Sequence, residues 1–136
     1  MAMILLAGGD EPMLEGLAQT LIAAGHRPVT AATAADAVAL TRDEAPLVAI
    51  LDRALVQTAP ELRALRLRPG GACIVYRGPG LPREPLPPAM QRLTLAEVAL
   101  PLERHRVAAL VESVVARARA AGRDSDRGAP SAETRP

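Results

Sequence analysis

Three short runs of unbroken apolar residues, Met3–Ala7, Leu47–Leu51 and Ala72–Tyr76, constrain this chain more than any other feature. A run of that length is too short for a buried helix. It is also too continuous for a strand with one wet face, so each reads as a strand covered on both sides. Between the runs lie apolar residues at helical spacing. Asp10-Glu11-Pro12 opens a helix with the proline near its first position, Leu14, Leu17, Ala18, Leu21 and Ile22 continue it, and Gly25 closes it. Arg27–Ala31 reads as a weaker strand. Thr33 caps a helix with Ala35, Val38 and Ala39 on one face, broken at Ala45-Pro46. A brief helix is predicted after Pro60, through Leu62 and Leu65. More than half of the residues from Gly78 to Pro88 are proline or glycine, which argues against regular structure there. A short helix near Ala89–Leu93, a weak strand at Glu97–Leu100 and a clear helix at Leu102–Ala121 complete the pattern. The last helix carries a stripe of Val107, Leu110, Val111, Val114, Val115 and Ala118. Gly122 is predicted to end it, leaving residues 1–121 as the domain and 122–136 as a disordered tail.

Strand and helix alternate five times, the pattern of an α/β fold with a parallel sheet, helices on both faces and right-handed crossovers. In such three-layer sandwiches the site lies at the carboxyl ends of the strands. Here those ends carry Gly9-Asp10, Asp52 and Arg77. With one Tyr and no Phe or Trp, the core has to come from Leu, Val, Ile and Ala. Sixteen basic residues, all Arg, face fifteen acidic ones, so no general field draws in nucleic acid, and Tyr76 alone could stack on a base. Met3–Ala7 is too short for a secretion signal, and no run approaches the ~20 apolar residues of a membrane span. A cytoplasmic protein bound to neither nucleic acid nor membrane is expected. Cys73, in an apolar run, reads as a small buried hydrophobe. His26 and His105 have no acidic, His or Cys partner at ligand spacing, which gives no metal site. Ser113 and Ser125 lack the setting of a nucleophile. No enzyme activity is expected.

Four blocks in order carry a resemblance. Leu5–Pro12 (LLAGGDEP), Leu47–Leu55 (LVAILDRAL), Ile74–Gly78 (IVYRG) and Ala99–Leu102 (ALPL) resemble the conserved segments of response-regulator receiver domains, the CheY-like family, over about residues 3–121. The resemblance implies a flavodoxin-like sandwich with a five-stranded parallel sheet of order 2-1-3-4-5. The Pro-rich stretch would leave the fourth helix short or missing. It also implies a pocket in which acidic residues and a phosphoacceptor aspartate hold Mg²⁺, a lysine neutralises the phosphoryl group, and a hydroxyl and an aromatic residue relay the change.

This chain keeps Asp52 at the phosphoacceptor position and Asp10 of the acidic pair, so these are the metal-binding candidates. Gly9 stands at the other acidic position, Arg77 at the hydroxyl, Glu97 at the switch aromatic and Leu100 at the lysine. Pro101 matches the family's cis proline. With one carboxylate and the lysine gone, no cofactor is expected, and any Mg²⁺ binding should be weak. Arg77 could lie over Asp52 as a built-in cation. The reading is a stand-alone receiver-like signalling domain of a two-component phosphorelay, acting as a protein-interaction module with a degenerate pocket. Its partners would be a histidine kinase, a phosphotransfer protein, another regulator or a second copy of itself. The alternative is a conventional single-domain response regulator phosphorylated on Asp52. A small-molecule-binding flavodoxin-like sandwich is a third class, which the lack of aromatic residues and of a phosphate loop disfavours.

Overall fold

The computed structural model describes residues 2–78 and 85–134, with side chains to residue 122. Five strands form one parallel sheet: β1 (Met3–Ala7), β2 (Arg27–Ala31), β3 (Val48–Asp52), β4 (Ala72–Arg77) and β5 (Thr94–Ala99), in the order β2-β1-β3-β4-β5. Helices α1 (Glu11–Ala23), α2 (Ala34–Asp43), α3 (Arg53–Thr58), α4 (Pro88–Gln91) and α5 (Arg104–Thr134) connect and flank them, with a 3₁₀ turn at Pro60–Ala64. The strand order is the one the sequence reading implied, and α4 is a single turn.

Side chains alternate across the sheet, so each continuous apolar strand feeds two cores. Ile4, Leu6, Ile50, Ile74, Tyr76 and Val98 pack under α1 and α5. Leu5, Leu51, Cys73, Val75 and Leu62 pack on the opposite side with the alanines of α2. Burying a side chain such as Leu5 or Ile50 completely contributes roughly 1.5–3 kcal/mol, and β1, β3 and β4 are built mainly of buried apolar residues. Burial also pushes the Cys73 thiol up to about 11, as befits a small hydrophobe.

The caps are the expected ones. Asp10 accepts the Met13 N–H, Thr33 accepts the Asp36 N–H, and Gly25 follows α1 with φ +89°. Four readings need correction. A six-residue helix, α3, begins directly after Asp52, ahead of the turn at Pro60. Helix α2 buries Ala34, Ala37 and Thr41 and leaves Ala35 and Ala39 exposed, because a helix this rich in alanine has no bulky residue to set its phase. β5 starts at Thr94, three residues early. Helix α5 continues past Gly122, where the sequence predicted its end; one interior glycine costs a helix only about 1 kcal/mol. Most of the Pro-rich stretch, residues 79–84, lies outside the described residues.

Both sheet edges are irregular. β2 carries Pro28, which has no N–H to offer. Opposite Cys73 and Ile74 of β4 the pairing with β5 slips from Thr94 to Ala96, leaving Leu95 as an extra residue that bulges out, about 39% exposed.

Candidate functional site

The strand ends gather Gly8, Gly9 and Asp10 after β1, Asp52 at the end of β3, Tyr76 and Arg77 at the end of β4, and Glu97, Leu100 and Pro101 on or after β5. Each carboxylate of the candidate pair is engaged at a helix start. Asp10 Oδ1 accepts the Met13 N–H at 3.2 Å, and Asp52 Oδ1 accepts the Ala54 N–H at 3.0 Å. Each satisfies a donor that the helix cannot satisfy itself. Replacing Asp52 with alanine is expected to cost about 1 kcal/mol in thermal unfolding, and asparagine, an equally good cap, close to nothing. A loss for asparagine as large as that for alanine would mean that the charge, not the cap, matters.

Gly9 is exposed, and open space surrounds the point where a side chain would start. Leu100, at the lysine position, is 2% exposed and belongs to the core cluster under α1 and α5. The Leu100–Pro101 peptide is cis. The following turn is organised by Glu103, whose carboxylate accepts the Ala99 N–H at 2.7 Å and pairs with Arg106 at 3.0 Å. The Ala99 bond, then Arg106, hold that carboxyl below the usual range, and the nearby charge of half-buried Arg77 adds to the effect.

Two contacts escaped the sequence reading. The first is Tyr76, 1% exposed and far from the stacking surface considered above. Its ring lies across Gly8: a Cβ on that glycine would sit 1.9 Å from Tyr76 Oη and 3.2 Å from Asp52 Cβ. The hydroxyl is buried without a hydrogen-bond partner. Burial, then the charges of Asp52 and Asp10, push its pKa well above the usual tyrosine range. The floor of the pocket is therefore an aromatic ring, seated in the space a glycine leaves. The second is an ion pair between Arg53, directly after Asp52, and Glu97 on β5; their side chains are 4% and 10% exposed. Arginine and glutamate 44 residues apart give no local signal of pairing.

Away from the strand ends, His26 Nε2 lies 2.6 Å from Glu112 Oε1 of α5, an acidic partner that spacing alone could not reveal. Among the described residues no three His, Cys, Asp or Glu side chains converge as metal ligands, and no helix is long and apolar enough to cross a membrane. A Mg²⁺ ion at the strand ends would meet Asp10 and Asp52, both also capping helices, and no third carboxylate. Among the described residues that is one carboxylate fewer than the resemblance implies.

No family model matches the sequence, and no curated protein matches it. Solved structures do. NtrX from Brucella abortus is 23% identical with a TM-score of 0.69; the match covers 92% of this chain and 28% of that one, so the chain spans little more than a quarter of NtrX. The N-terminal domain of a response regulator/sensory box/GGDEF three-domain protein from Carboxydothermus hydrogenoformans is 18% identical, TM-score 0.68, covering 87% of this chain and 97% of that one. A response regulator receiver domain protein from Clostridium thermocellum is 18% identical, TM-score 0.67, covering 88% and 98%. With the strand order and the cores, these likenesses establish that the chain has the fold of CheY-like response-regulator receiver domains.

Proposed function

We propose that this chain is a receiver-like signalling domain of a two-component phosphorelay that works by binding proteins, with a pocket no longer able to run the phosphorylation switch. The observation that carries this reading is the donor set at the strand ends. Two carboxylates remain, each bound to a helix N-terminus, while Gly9 supplies no third and Leu100 is buried in the core. Phosphoryl transfer to an aspartate depends on a metal and a cation placed to neutralise developing charge. Here neither is provided at the positions the resemblance assigns. The domain then performs no chemistry of its own and acts through a histidine kinase, a phosphotransfer protein, another regulator or a second copy.

Tyr76 supplies the test. It is the sole tyrosine in a chain without tryptophan, and it forms the pocket floor beside Asp52. Its fluorescence, read together with an amide NMR spectrum, is expected to stay unchanged when Mg²⁺ and beryllofluoride, a phosphoryl mimic, are added. A saturating response centred on Asp10, Asp52 and Tyr76 would instead establish a working phosphoacceptor at Asp52 and overturn the proposal.

A further inference from the structure

The Arg53–Glu97 pair spans an unusual path. Arg53 opens α3 at the end of β3, and Glu97 sits on β5 in register with Val75 of β4. β4 lies between the two strands, so the pair crosses it. Two strand spacings come to about 10 Å, a gap that only two long side chains can close. Both are almost wholly buried. β5 is an edge strand that pairs with β4 alone, with a register slip near its start, so the ladder holds it from one side only.

A buried ion pair is a poor choice if stability alone is wanted, since apolar residues of the same size do as well or better. It differs from an apolar contact in allowing one geometry, and in leaving an uncompensated charge when either partner moves. We infer that Arg53 and Glu97 form a latch that fastens edge strand β5 to the β3–α3 junction, so that the surface built on β5 is set by this pair and not by events at Asp52. The inference rests on the reading of the pocket as degenerate, and it gives that reading a physical cause: the position the resemblance assigns to a rotating aromatic is tied down by charge.

The test is hydrogen exchange of the full chain, followed amide by amide. Glu97→Gln keeps the shape and removes the carboxylate charge that Arg53 meets on β5. Exchange in β5, at Val98 and its neighbours, is expected to rise about a hundredfold, while the central amides of β1 and β3 change about tenfold or less. The double variant Arg53→Met/Glu97→Leu, which replaces the pair by apolar residues, is expected to return β5 to within about tenfold of the wild type. Equal acceleration in all strands, or none in β5, overturns the latch, as does a double variant no better protected than Glu97→Gln. The beryllofluoride titration on wild type is a separate result: a response there would sink the pocket reading while the exchange pattern still decides whether the latch exists.

Discussion

Valine in place of Gly8 is expected to lower the stability of the domain by roughly 3 kcal/mol, about 10 °C in midpoint for a domain of this size. The first added carbon would fall 1.9 Å from Tyr76 Oη, well inside contact distance. The ring cannot retreat easily, because it is among the largest fully buried side chains and belongs to the core cluster under α1 and α5. Either β1 moves away from β4 or the tyrosine is expelled, and losing a buried aromatic costs roughly 3–5 kcal/mol. The check is compensation. Tyr76→Ala makes room for the valine, so the double variant should be more stable than the sum of the two single losses by about 1 kcal/mol or more. Strict additivity would mean that Gly8 and Tyr76 do not share that space.

The second large effect is expected at the entry to β4. Alanine at Gly71 would place its methyl 2.4 Å from the Leu47 carbonyl oxygen and 2.8 Å from that of Arg68. Both are backbone atoms already in use: Leu47 O accepts the Ala72 N–H at 3.1 Å, and Arg68 O accepts the Gly71 N–H at 2.9 Å. Relief requires shifting the turn and breaking one or both bonds, which is expected to cost about 2–4 kcal/mol by urea denaturation. Gly70 is a useful contrast. Its φ is +83°, and its nearest neighbour to an added Cβ lies at 3.6 Å, so alanine there meets only backbone strain of about 1 kcal/mol. A midpoint lowered more by Gly70→Ala than by Gly71→Ala would refute the steric account.

Much of this architecture is legible in the chain because it rests on local signals. Continuous apolar runs at Met3–Ala7 and Leu47–Leu51 admit little but buried strands, and Asp10, Thr33 and Gly25 mark helix ends by their own chemistry. What stayed hidden depends on register. An arginine after a strand reads as a solvated residue, yet Arg53 is 3% exposed because a glutamate two strands away meets it. The role of Tyr76 depends on its lying across Gly8, and that juxtaposition appears only once β1, β3 and β4 are aligned. The strand-end positions Gly9, Asp10, Asp52, Arg77 and Glu97 were all identifiable in the sequence. The ring that lies across Gly8 and the pair that crosses β4 were not.

The two irregular sheet edges bear on how this protein behaves when crowded. An open strand edge is a template on which a neighbouring chain can stack, the first step towards fibrils. Pro28 interrupts the row of donors on β2, and the bulge at Leu95 breaks the pairing rhythm of β5, so an incoming strand finds no long regular ladder on either side. A sheet whose three inner strands are nearly all apolar is thereby shielded from edge-to-edge growth by one imino acid and one surplus residue.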